Sequence, residues 1–163
     1  WDERTCSFAA AGGHLHVLRW ARENGCPWDE QTCAAAAGRG HLAVLQWAAW
    51  SGCSWNNGAI WEAASFGHLH VMRWAHGCGM PLDATMCAAA AEGGHLDALQ
   101  WLRRNGAPWD ARTCSSAARG GHLGVLRWAR EDGCPWEEDT CYHAVIGEHL
   151  ALLRWARGNG CPW

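Results

Sequence analysis

Residues 27–42 read Pro27-Trp28-Asp29-Glu30-Gln31-Thr32-Cys33-Ala34-Ala35-Ala36-Ala37-Gly38-Arg39-Gly40-His41-Leu42, and their order decides the fold. Asp29 suits a helix N-cap, because a carboxylate there accepts from the orphan amides of the first turn. Trp28, one place earlier, can pack on Cys33 as a hydrophobic staple. The run from Cys33 to Ala37 favours helix and leaves small side chains for close packing. Gly40 ends that helix, as glycine does where the chain must turn left-handed. His41 and Leu42 open a second helix, in which Leu42, Val44, Leu45, Trp47 and Ala48 form an apolar face at helical spacing. Gly52 closes it.

The same pattern returns every 27 residues with no gap. Trp stands at Trp20, Trp47, Trp74, Trp101, Trp128 and Trp155, and His at His14, His41, His68, His95, His122 and His149, each His followed by Leu. A second Trp series runs Trp1, Trp28, Trp55, Trp109, Trp136 and Trp163, with Leu82 in the one gap. The chain of 163 residues is therefore a single repeat domain spanning 1–163, in units 1–27, 28–54, 55–81, 82–108, 109–135 and 136–162. Each unit is helix, tight turn, helix, short linker. Two short helices cannot bury their apolar faces alone, so the expected fold is all-α, a helix-turn-helix repeat solenoid of six stacked units.

Composition follows from the copying: 14 Trp, 10 Cys and 20 Gly, with Arg as the only basic residue besides His. A net charge of −3 gives no overall attraction to nucleic acid or an anionic membrane. No stretch approaches the roughly 20 apolar residues that a membrane span needs. The Cys sit inside helical patterns and not in a short, loop-rich scaffold, so a reducing, intracellular (cytoplasmic or nuclear) setting is expected. Trp1 in place of Met reads as an excerpt of a longer chain. Neither terminal copy shows the polar outer face of a solenoid cap, so the array is expected to continue beyond both ends.

Ala36-Ala37-Gly38-Arg39-Gly40-His41-Leu42 resembles the Ala-Ala-x-x-Gly-His-Leu signature of ankyrin repeats, and the motif recurs at Ala90–Leu96 and Ala117–Leu123. Gly25-Cys26-Pro27-Trp28-Asp29 is similar to the family's Gly-Ala-Asp-Val-Asn. The resemblance covers all six copies of a short, Trp- and Cys-rich variant. It departs in length, since the usual ankyrin unit has about 33 residues. The missing residues fall where the family builds its projecting β-hairpin, so a tight linker is expected there. Thr32-Cys33 also replaces the family's Pro-Leu.

Cys recurs at the sixth place (Cys6, Cys33, Cys87, Cys114, Cys141) and near the unit's end (Cys26, Cys53, Cys134, Cys161, with Cys78 displaced). Cys and His together invite a zinc reading. Against it, Ile60 replaces the first Cys, Met80 and Ala107 replace the second, and the His series stays complete in those copies. Eight residues of helical chain from Cys33 to His41 also span roughly 12 Å. The sulfurs thus read as core thiols, with no cofactor and no metal. Zinc or disulfides at Cys6/Cys26, Cys33/Cys53, Cys114/Cys134 and Cys141/Cys161 stay open as alternatives. The His can bond backbone across the turn or to the neighbouring copy, and the Trp series reads as stacking core.

Recognition belongs where the copies differ: the seventh, eighth, eleventh and twelfth places, on the first helix. Phe8, Trp61, Phe66 and Tyr142 put aromatics there, and Arg39, Glu62, Glu92, Arg119 and His143 put charge or a titratable ring. The ankyrin resemblance implies that this end of the first helix lines the concave, partner-binding face. The expected function is a non-catalytic protein–protein interaction scaffold with a protein partner, no small-molecule substrate and no membrane. The alternatives are a structural array, a zinc-stabilised repeat, or nucleic-acid binding through the Arg stripe (Arg19, Arg73, Arg127 and Arg154, joined by Arg22, Arg103, Arg130 and Arg157), which reads better as a solvated face with local ion pairs. No Gly-rich phosphate loop, paired carboxylate or nucleophile–base arrangement stands out, so no enzyme is expected.

Overall fold

The structure is a computed structural model, and it describes residues 2–163. Trp1, the first member of its Trp series, lies outside the described residues. Among the described residues there are twelve helices and no strand: α1 (Glu3–Ala11), α2 (Leu15–Glu23), α3 (Glu30–Gly38), α4 (Leu42–Trp50), α5 (Asn57–Ser65), α6 (Leu69–Gly77), α7 (Ala84–Glu92), α8 (Leu96–Arg104), α9 (Ala111–Arg119), α10 (Leu123–Glu131), α11 (Glu138–Ile146) and α12 (Leu150–Gly158). The fold is all-α, built of stacked helix pairs. Residues 51–56, where a hairpin would project, hold only a turn and an extended linker.

Local chemistry sets the helix ends. Asp29 accepts from the Gln31 amide at 3.0 Å and caps α3. At the other end His41 N–H bonds Ala36 O at 2.8 Å and Gly40 N–H bonds Ala37 O at 3.0 Å. This is the crossed pair of bonds that a left-handed glycine permits, and Gly40 has φ +73°. The Trp28 ring meets Trp47 at 5.6 Å, on the apolar surface that the second helix offers.

The chain divides into two compact halves, Trp1–Pro81 and Leu82–Trp163, each holding three repeats. In the first half α1 packs on α3 and α3 on α5; in the second, α7 packs on α9 and α9 on α11. Within each repeat the first helix packs on the second. Alanine permits the close approach of the first helices: Ala10, Ala37 and Ala64 in one half, and Ala91 and Ala118 in the other, are fully buried. The second helices contribute the bulk, through buried Leu18, Leu45, Met72, Leu99 and Leu126. In each half, then, the first helices pack directly on one another.

The His series joins successive repeats. Imidazole Nε2–H donates to Ala11 O from His41 (3.0 Å), to Gly38 O from His68 (3.1 Å) and to Arg119 O from His149 (3.1 Å). Each bond satisfies a carbonyl left over at the end of the preceding repeat's first helix. The Trp pairs are half-buried and pack onto the core, as Trp136 and Trp155 do on Cys141, Ala156 and Cys161. Trp55/Trp74, Trp109/Trp128 and Trp136/Trp155 meet at 5.1–5.9 Å.

Candidate functional site

The side chains nominated from the sequence all lie on first helices or their C-terminal turns. Phe8, Trp61, Phe66 and Tyr142 are exposed, at 67, 43, 53 and 59%. Arg39, Glu92 and Arg119 are exposed too, and Glu62 and His143 are half-buried. The seventh and eighth places are not uniformly exposed, however. Ser115 and Ser116 are buried, because side chains that short stay within the crevice between first helices. Only the larger residues at these places emerge.

Two groups form among the nominated residues. In the first half, Arg39, Glu62 and Phe66 line one groove of about 270 Å³, whose floor is made by Ala11, Ala34, Ala35 and Gly38. The small floor is again the Ala-rich signature, which leaves room between α1, α3 and α5. In the second half, Arg119 reaches Glu92 on one side at 3.6 Å and His143 Nε2 on the other at 2.9 Å. His143 Nδ1–H donates to Asp139 O at 2.8 Å, so the ring is held with Nε2 as acceptor. The row Glu92, Arg119, His143 therefore crosses α7, α9 and α11 as one polar strip. Phe8 and Trp61 stand apart from both groups; the Arg4 guanidinium lies 5.9 Å from the Phe8 ring. Tyr142 turns elsewhere, into a cavity of about 340 Å³ with Glu138, Asp139, Cys141, Val145 and Trp163.

Trp50 and Val145 are among the exposed apolar side chains that the sequence did not single out. Trp50 is 76% exposed at the end of α4, at a place where the other copies carry Glu23, Gly77, Arg104, Glu131 and Gly158; that contrast was the available signal. Val145 is exposed where Ala10, Ala37, Ala64, Ala91 and Ala118 are buried, and it was hidden by its conformity to an apolar place.

The Arg stripe has a different occupation from the one expected. Arg19 and Arg127 lie 5.6 Å from the rings of Trp47 and Trp155. Arg22, Arg103, Arg130 and Arg157 stack at 4.1–4.2 Å on Trp28, Trp109, Trp136 and Trp163. They also donate to Cys26 O, Ala107 O, Cys134 O and Cys161 O. Among the described residues, the ion pairs within 4 Å are Arg112–Asp110 and Arg119–Glu92, neither on the stripe. A guanidinium gains more from a Trp face and a carbonyl than from a solvated carboxylate.

All ten Cys are free thiols, and all but Cys78 are buried. No group of three or more His, Cys, Asp or Glu is placed to hold a metal ion among the described residues. Burial pushes the Cys87 thiol up to about 12. In the unfolded chain it ionises near about 8.5. The folded value is the higher one, so this contribution to stability is intact below about 8.5 and is lost as pH rises toward about 12. Each pH unit in that window removes about 1.4 kcal/mol. Urea midpoints at pH 7.5, 9.5 and 10.5 should therefore fall less steeply in Cys87→Ala than in the parent; parallel slopes would refute this.

The profile of ankyrin repeats (many copies) matches residues 86–130. The crystal structure of the human ASB11 ankyrin repeat domain aligns with TM-score 0.74 at 14% identity, covering 96% of this chain and 84% of that one. The fold of this chain is that of an ankyrin-repeat solenoid. No curated protein sequence matches it. Ankyrin repeats are in general protein–protein interaction modules, and the groove and the polar strip both lie on the first-helix side of this array. No helix of the described residues is long and apolar enough to cross a membrane.

Proposed function

We propose that this array is a non-catalytic scaffold, working in a reducing intracellular compartment, that binds a protein partner through its first-helix face. The observation that carries the reading is the groove of Arg39, Glu62 and Phe66. An aromatic wall, a cation and an anion around a floor of Ala and Gly offer a side chain of the partner a socket with one apolar and two polar contacts. Aromatic and Arg residues around such sockets dominate interface energetics. In the second half, the Glu92–Arg119–His143 strip is held by its own hydrogen bonds and presents polar groups that need little ordering on contact. Neither feature needs a cofactor or a small-molecule substrate. Nucleic-acid binding is disfavoured, because Arg22, Arg103, Arg130 and Arg157 are spent on Trp faces and backbone carbonyls.

A photo-crosslinking residue at Phe66 should capture a defined protein from an extract of the source organism. Unlabelled parent should suppress the capture, and the double variant Arg39→Glu, Phe66→Ala should suppress it at least tenfold less well. Equal capture from a probe at Arg19, on the second helix, would overturn the proposal. So would equal competition by the double variant.

A further inference from the structure

Four repeats place two thiols near one another, Cys6/Cys26, Cys33/Cys53, Cys114/Cys134 and Cys141/Cys161, so that each raises the cost of ionising its neighbour or shares its proton; Cys141 and Cys161 lie in one buried cluster. The second thiol of each pair also faces the carbonyl of the residue one turn before the first. Cys53 donates to Asp29 O at 3.1 Å, Cys134 to Asp110 O at 3.4 Å, Cys26 to Asp2 O at 3.5 Å and Cys161 to Glu137 O at 3.6 Å.

Close packing of thiols accounts for these contacts but not for the residue beside them. Thr precedes the first Cys in all four repeats, as Thr5, Thr32, Thr113 and Thr140. The two repeats without a pair have Ala59 beside Ile60 and Met86 beside Cys87. Loss of the second Cys at Ala107 thus goes with loss of Thr, although Cys87 itself remains as a core thiol. Thr32, Thr113 and Thr140 are fully buried, and their hydroxyls have no hydrogen-bond partner. An orphan buried hydroxyl costs about 1–3 kcal/mol, and the apolar residues of the other two repeats show that the fold does without it. Thr113 and Thr140 lie within reach of the Cys134 and Cys161 sulfurs. A thiol that gives its proton to a carbonyl is a poor acceptor, whereas a thiolate is a good one. The hydroxyl is a donor waiting for a thiolate.

Two sulfurs without a third ligand exclude tetrahedral zinc, which takes four. A soft monovalent ion accepts two thiolates in line. We propose that the four Cys···Cys sites each bind one copper(I) ion, bridged between the two sulfurs, with the buried hydroxyl of Thr32, Thr113 or Thr140 donating to one sulfur at three of them; Thr5 instead donates to Asp2 Oδ1 at 3.5 Å. Uptake is balanced as two thiols and one copper(I) giving a bis-thiolate complex of charge −1 and two released protons. The guanidinium groups of Arg22, Arg130 and Arg157, on the carbonyls of Cys26, Cys134 and Cys161, offset that charge. Closure to a disulfide would give a neutral product and leave the hydroxyl unpaired. Cys141 borders the cavity beside Tyr142, which gives its pair a route to solvent.

The test is anaerobic titration of the reduced chain with copper(I) against a chromogenic copper(I) chelator, read by native mass spectrometry. Four ions per chain are expected, three in Cys134→Ser, and four in Cys87→Ala. Thr113→Val should keep four ions but bind one of them at least tenfold more weakly, the size of effect that partners of metal ligands commonly have. A packing-only Thr would instead leave affinity unchanged. The proposal is overturned if the chelator strips all copper, if Cys87→Ala loses an ion, if Cys134→Ser keeps four, or if Thr113→Val binds as the parent does. Disulfide formation without copper uptake, or retention of zinc at the pairs, would also overturn it.

Discussion

Gly40→Val is expected to destabilise the first half by about 3 kcal/mol, from two costs that the structure separates. The first is backbone: φ of +73° costs an L-residue about 1–2 kcal/mol, and a β-branched side chain is the worst placed to adopt it. The second is contact. A Cβ at Gly40 falls 2.8 Å from Nδ1 of His68, the ring that donates to Gly38 O across the repeats. Moving the ring leaves that carbonyl unpaired, at about 1–3 kcal/mol. Gly52→Val is the control, since φ there is +87° but a Cβ meets nothing within 4 Å. Urea midpoints should place Gly40→Val well below Gly52→Val. If the two fall together, the His bond contributes nothing.

Leu45→Ala is the second large effect, expected to cost about 2–5 kcal/mol through the cavity it opens. Leu45 is fully buried between the two helices of its repeat. Met72 fills the corresponding place one repeat later and is just as buried, so Leu45→Met should cost under about 1.5 kcal/mol. The spread between the two variants in one denaturation series measures how tightly this place is packed. A Leu45→Ala variant as stable as Leu45→Met would contradict the close packing described for the second helices.

The fold was legible because each repeat states its own rules. Asp29, Gly40, His41 and Gly52 mark helix ends by local chemistry, and six copies average out any single exception. What a repeat touches was harder to read. The Trp series reads as core by type, and Trp136 and Trp155 do pack on core residues, but each ring stays half-buried. The Arg stripe pointed to carboxylates nearby in sequence, while its partners are rings brought in by the next linker. At the candidate site, exposure was readable from variability for Phe66 or Arg39. The split into a groove around Arg39, Glu62 and Phe66 and a strip through Arg119 was not, since it depends on how first helices align across repeats. Ser115 and Ser116 failed for a related reason: side-chain length, not position, decides whether those places emerge.

The His bonds that join repeats carry one further consequence, for how the chain reaches this state. His41 to Ala11, His68 to Gly38 and His149 to Arg119 each span 30 residues, and the thiol–carbonyl bonds span 24. No such bond waits on the meeting of distant segments, so every loop to be closed has nearly the same modest entropy. Folding of this kind is growth from a seed: once two adjacent repeats dock, each neighbour adds at a similar cost. The search is short, and assembly should be rapid for a chain of this size.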